Sequence, residues 1–164
     1  MSSPFSLVYD AFWTMIKRND VLMEYFPESN RIKWNEYDSK KENISHGDLP
    51  EISILAAGIT PGERNSNTTR SCIREYTIAI TTGDSRIKDF DQIEFELYRS
   101  LIDYHCVLCA LTWCNCNFVT DAQFITTEEG TMMRDQSRGI VGWSAIWTYQ
   151  VHFVFPYASL KLSS

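Results

Sequence analysis

Residues 142–155 read GWSAIWTYQVHFVF, and the alternation within them decides the fold. Trp143, Ala145, Trp147, Tyr149, Val151, Phe153 and Phe155 fall on one side of an extended chain, and Ser144, Thr148, Gln150 and His152 on the other. Successive side chains of a strand point to opposite faces, so this period of two predicts a long strand with one face in the core. A column of rings needs a cover, and helices packed on that face would bury it. Where such helices stop short, the ends of the column would offer rings to a partner.

Working back along the chain, FVTDAQFITT (118–127) predicts a neighbouring strand, with EEGTMMRDQSRGIV (128–141) as a projecting hairpin end between the two. Asp91, Gln92, Ile93 and Glu94 form an acidic capping box, so a helix is expected to start there. Its buried face would carry Ile93, Leu97, Leu101 and Leu108 to about position 110. Upstream, LPEISILAAG (49–58) puts Ile52 and Ile54 on one strand face. SCIREYTIAITTGD (71–84) puts Tyr76, Ile78 and Ile80 on one face and Thr77, Ala79 and Thr81 on the other. The Gly-, Pro- and Asn-rich segment 58–70 between them reads as a long turn closing a hairpin. The opening SSPFSLVYDAFWTMIKRND (2–20) is an amphipathic helix capped by Ser3, with Pro4 in the first turn and Val8, Ala11, Phe12, Met15 and Ile16 inward. VLMEYF adds a turn or two before Pro27. Residues 27–48 are polar and lack a period, and read as a long arm that Trp34 and Tyr37 pin to the body or to a neighbouring subunit.

The expectation is therefore one α+β domain over 1–164. It has an antiparallel sheet with two main helices on one face, in the order α-β-β-α-β-β, because that arrangement buries every amphipathic segment. A chain of 164 residues with 44% apolar content is large enough for one such core. The net charge of −6 argues against general binding to nucleic acid or to an anionic membrane. No apolar run approaches the ~20 residues of a membrane span, and no secretory leader is recognisable at the start. The expected compartment is the cytoplasm, where an odd count of five cysteines stays reduced.

YHCVLCALTWCNCN (104–117) holds Cys106, Cys109, Cys114 and Cys116, the one cluster that invites a chemical reading. Zinc knuckles are built on polar turns with Gly, Lys or Pro. Here Val107, Leu108, Ala110, Leu111, Thr112 and Trp113 separate the cysteines, which suits small buried side chains at a helix end better than metal ligands. A Cys106–Cys109 redox pair lacks the helix N-terminus that lowers a thiol pKa. His46, His105 and His152 are the three histidines, and the sequence brings none of them to a nucleophile and an acid. The chain has no phosphate-binding glycine loop, HExxH or dinucleotide fingerprint. Asp91 and Glu94 are explained by the helix start, and Glu128 and Glu129 by a solvated hairpin end. No catalytic residue, cofactor or metal is expected.

Taken together, SLVYDAFWTMIKRN, LPEISILAAG, REYTIAITTGD, IEFELYRSLIDY, VTDAQFITT, the charged hairpin end and GWSAIWTYQVHFVF resemble the tail terminator (tail completion) proteins of long-tailed bacteriophages and their prophage relatives. The resemblance covers most of the chain. It implies a structural protein without enzymatic activity that forms a homo-oligomeric ring, usually a hexamer, on the end of the tail tube. Its partners would be the tail tube protein and head or neck proteins, and DNA would pass through the ring without being specifically bound. It would reside in the cytoplasm during assembly and then in a virion or tail-like particle, with no membrane partner. Ring closure needs heterologous contacts, and the projecting segments offer them through Trp34, Tyr37, Glu63, Arg64, Glu128, Glu129, Arg134 and Arg138. Two alternatives remain at this point: another head–tail connector or minor tail component, and a metal- or thiol-dependent protein using the four clustered cysteines. Elemental analysis of the purified protein separates off the second. The expected result is no stoichiometric zinc or iron, and either metal at one equivalent would assign the cluster to it.

Overall fold

The computed structural model describes residues 3–27, 31–32, 51–62, 66–83, 87–101, 118–135 and 139–162. Helix α1 spans Pro4–Lys17 and α2 spans Asp20–Tyr25. Strands β1 (Arg31–Ile32), β2 (Glu51–Pro61) and β3 (Thr69–Gly83) follow, then α3 (Ile87–Ser100), β4 (Val119–Asp135), β5 (Gly139–Pro156) and a single turn, α4 (Tyr157–Leu160). The fold is α+β. Its strands form one sheet in the order β1-β2-β3-β5-β4. The long strands β2, β3, β5 and β4 are mutually antiparallel, and only β1 runs parallel to its neighbour.

The period-two column is the axis of this sheet. β5 pairs with β3 from Gly142 to Pro156 without a register shift, and with β4 on its other side. Tyr76 is opposite Tyr149, Ile78 opposite Trp147 and Ile80 opposite Ala145, while Ile54 and Ile52 continue the same face on β2. All eight are buried. Helix α1 meets this face through Phe12, whose ring lies 5.5 Å from that of Tyr76 and 5.4 Å from that of Tyr149. Phe5 stands edge-on to Phe153 at 4.9 Å. Helix α3 reaches the same face at Trp147. The indole Nε1 donates to Glu94 at 3.2 Å, and the Tyr98 ring lies 6.4 Å from the indole.

The start of α1 follows the sequence rule for helix caps. Ser3 is extended, its Oγ accepts from the Ser6 amide at 3.1 Å, and Pro4 occupies the first helical position. Every residue assigned to the inner face is buried, together with Trp13. Asn19 caps α2 by accepting from the Leu22 amide at 3.1 Å.

Four sequence expectations are corrected. Helix α3 begins at Ile87, so Asp91 stands inside it as an exposed residue and not at its cap. Acidic residues near a helix start are favoured by the dipole whether or not they cap it, which made the pattern ambiguous. The long turn at 58–70 is shorter than expected, because β2 runs to Pro61 and pairs there with Cys72. Proline is tolerated on this strand because, among the described residues, only Ile52 and Ser53 have a partner on its far side. The hairpin end at 128–141 is mostly strand, paired from Glu128↔Ile146 to Asp135↔Gly139. A strong partner strand overrides the weak propensity of Glu-Glu-Gly. The polar arm contributes Arg31–Ile32 to the sheet as a fifth strand. The remainder of the arm, Leu108 and the helix continuation towards 110 lie outside the described residues.

The rings of Phe12, Tyr76 and Tyr149 are fully buried and touch one another across three elements. Truncating Phe12 to Ala removes the plug between α1 and the sheet and is expected to cost about 3–5 kcal/mol. Urea unfolding followed by circular dichroism measures it, and a loss below about 1 kcal/mol would contradict this packing.

Candidate assembly interface

Two surfaces outside the core combine exposed apolar side chains with defined charge. The first is the outer side of α3. Ile93 and Leu97 face inward, so Asp91 and Phe95 stand outward one turn apart, with the half-exposed Tyr98 between this side and Trp147. Phe95 is 58% exposed and Tyr98 43%. The Arg99 guanidinium sits 5.8 Å from the Phe95 ring centroid while it pairs with Glu96 at 3.1 Å.

That helix is held in place by a buried carboxylate. Glu96 is buried and accepts from Asn19 Nδ2 at 2.8 Å, Gln92 Nε2 at 3.2 Å and Arg99 Nη1 at 3.1 Å. Asn19 Nδ2 also donates to Ser100 Oγ at 2.9 Å, and Arg18 Nη2 to the Ser100 carbonyl at 3.3 Å. A buried charge is tolerable only with such donors. The elbow between α1 and α2 is thereby fastened to α3. The shallow polar recess of about 400 Å³ between them is the seam of this joint.

The second surface lies where β3 begins and β5 ends. A mostly apolar recess of about 450 Å³ is lined by Phe5, Cys72, Phe118, Phe155 and Leu160, with Arg70 at its edge. The rings of Phe118 and Phe155 are 5.2 Å apart, and the Arg74 guanidinium covers Phe5 at 4.9 Å. The turn α4 closes one side. The Tyr157 amide donates to the Thr68 carbonyl at 2.7 Å, with Arg70 and Lys161 over the Tyr157 ring at 4.7 and 5.4 Å. Leu160 is half exposed, and Leu162 is 95% exposed. Gly62 belongs to this corner. Its amide donates to the Ser71 carbonyl at 3.0 Å, and a Cβ there would collide with the Ser71 side chain.

Of the residues expected to form an interface, Glu128, Glu129 and Arg134 lie on β4, the outer strand of the sheet, at register positions opposite Ile146, Ala145 and Ile140. Trp34, Tyr37, Glu63, Arg64 and Arg138 lie outside the described residues, as do His46, His105 and the four clustered cysteines. His152 sits half-buried on the sheet face away from the helices, and its Nε2 has no hydrogen-bond partner among the described residues. Among those residues no three His, Cys, Asp or Glu side chains converge as a metal site would require, and no helix is long and apolar enough to cross a membrane. Sequence reasoning missed the recess and the outer side of α3. The exposed Phe95, next to the inward Ile93 and Leu97, was the available signal for the latter.

No family profile matches the chain, and no curated protein does. Among solved structures, the gp17 protein of bacteriophage SPP1 is similar over 88% of this chain and 86% of that one. The identity is 17% and the TM-score 0.37.

Burial in the apolar recess pushes the Cys72 thiol above its ordinary pKa, and the nearby Arg74 only partly opposes this. The folded state therefore keeps the proton to higher pH than the unfolded chain does. The contribution of this group to stability is full below the unfolded pKa and is lost as pH rises through the folded value. The thiolate is the nucleophile, so Cys72 in the native protein should alkylate more slowly than a free thiol at pH 8 and gain rate at higher pH. Timed iodoacetamide labelling with peptide mapping tests this, and a rate equal to that of glutathione at pH 8 would contradict it.

Proposed function

We propose that this chain is a non-enzymatic assembly subunit of the phage tail-terminator kind, closing into a ring that caps a tail tube and meets a head or neck component. The support is the resemblance of seven sequence segments in their order along the chain, joined to one structural observation. That observation is the presence of two separate surfaces with exposed apolar side chains, the outer side of α3 and the recess at the end of β5. Two unlike surfaces on one subunit are what a heterologous, ring-forming contact uses. A core that is already filled does not need them. The acidic chain also suits a passage for DNA, since a net charge of −6 disfavours retention of a polyanion.

Light scattering and native mass spectrometry of the protein, alone and with polymerising tail tube protein, test the reading. The expected outcome is a closed oligomer, most simply of six copies, and tubes that stop growing once the protein is added. A strict monomer at high concentration that leaves tube length unchanged would overturn it.

A further inference from the structure

We infer that the outer side of α3 on one copy docks into the recess at the end of β5 on the next, with Phe95 as the inserted side chain. This rests on the ring reading and names its contact. The two surfaces are complementary in apolar character and in charge. The recess is apolar, about 450 Å³, and edged by the Arg70 guanidinium, with Lys161 beside it over the same Tyr157 ring. Neither cation makes an ion pair among the described residues. On α3 the 58%-exposed Phe95 stands one turn from Asp91, an exposed carboxylate also without an ion pair among the described residues, while the Arg99 guanidinium near its ring is already paired with Glu96. An aromatic side chain flanked by carboxylate is the chemistry that an apolar recess with a cationic edge accepts.

The occupant is a second copy because one molecule cannot join its own two surfaces. Helix α3 meets the sheet at Trp147, and the recess is walled by Phe155. Phe155 lies eight positions along β5 from Trp147, about 26 Å at the usual rise, and Phe95 is on the side of α3 opposite the buried Ile93 and Leu97. Buried Glu96 fastens α3 to the α1–α2 elbow through its bond to Asn19, so Phe95 is presented on an anchored element. Tyr98 and Leu160 would then become the rim of the contact.

The test measures assembly of the full chain against concentration, with a thermal melt of each variant to confirm folding. Phe95→Ser changes an exposed side chain and should leave the melt unchanged. It is expected to raise the concentration for half-assembly about thirtyfold, the effect of removing a central aromatic anchor. Asp91→Lys, and separately the pair Arg70→Glu and Lys161→Glu, should each weaken assembly. Mixing these two variants places native charges at alternate contacts and exchanged charges at the others, so assembly should recover. Recovery by mixing supports the contact, because a merely misfolded variant would not be rescued. If the native protein assembles and Phe95→Ser assembles equally well, this contact is overturned and the ring reading stands. If the native protein assembles neither alone nor on tail tubes, both are overturned.

Discussion

A strand that is hydrophobic on one side, and hydrogen-bonded along both edges, leaves its apolar side no way out of water except under another layer. β5 is that strand. With β3 on one edge and β4 on the other, its backbone is satisfied and its register is set, so Trp147, Tyr149, Val151 and Phe153 must all face the same way. A one-residue slip would turn the whole column to the opposite face. Each aromatic ring carries roughly 150–250 Å² of surface, and much of the remaining fold can be understood as cover for it. Phe12 and Phe5 of α1 serve the far part of the column, and Glu94 and Tyr98 of α3 serve Trp147.

The second constraint is polar. The covering helices come from distant parts of the chain, and their relative position is held by the bonds around Glu96. Side chains from α3 itself, Gln92 and Arg99, converge on that carboxylate with Asn19 from the α1–α2 elbow. Apolar packing alone tolerates sliding of one helix past another; a set of directional bonds to one buried charge does not. The outer side of α3 is consequently fixed relative to the α1–α2 elbow.

The core was legible in the sequence because it is periodic. Residues such as Ile52, Ile54, Tyr76, Ile78, Ile93 and Leu97 repeat at strand or helix spacing, and each is buried. Boundaries were less legible where local preference and strand partner disagree. Pro61 and Gly58 look like turn residues, yet they belong to β2, because β3 continues alongside them to Thr69. The exposed surfaces were least legible of all. Phe5, Phe118 and Phe155 are far apart in the sequence and meet only when the first helix, the start of β4 and the end of β5 come together. No local period announces such a recess. Phe95 was visible as an apolar residue out of phase with its helix, but a single such residue is ordinary on a protein surface.

The outer strand carries one further consequence. β4 changes register at four places along its length, so its longest regular runs, 121–124 and 126–129, are four residues each. Cross-β stacking draws on uninterrupted segments of about six or seven residues, and bulges also twist an edge out of line. Among the described residues this outer strand is thus a poor template for another chain. Broken register along this strand works against the irreversible, fibre-like association that an unbroken edge would seed.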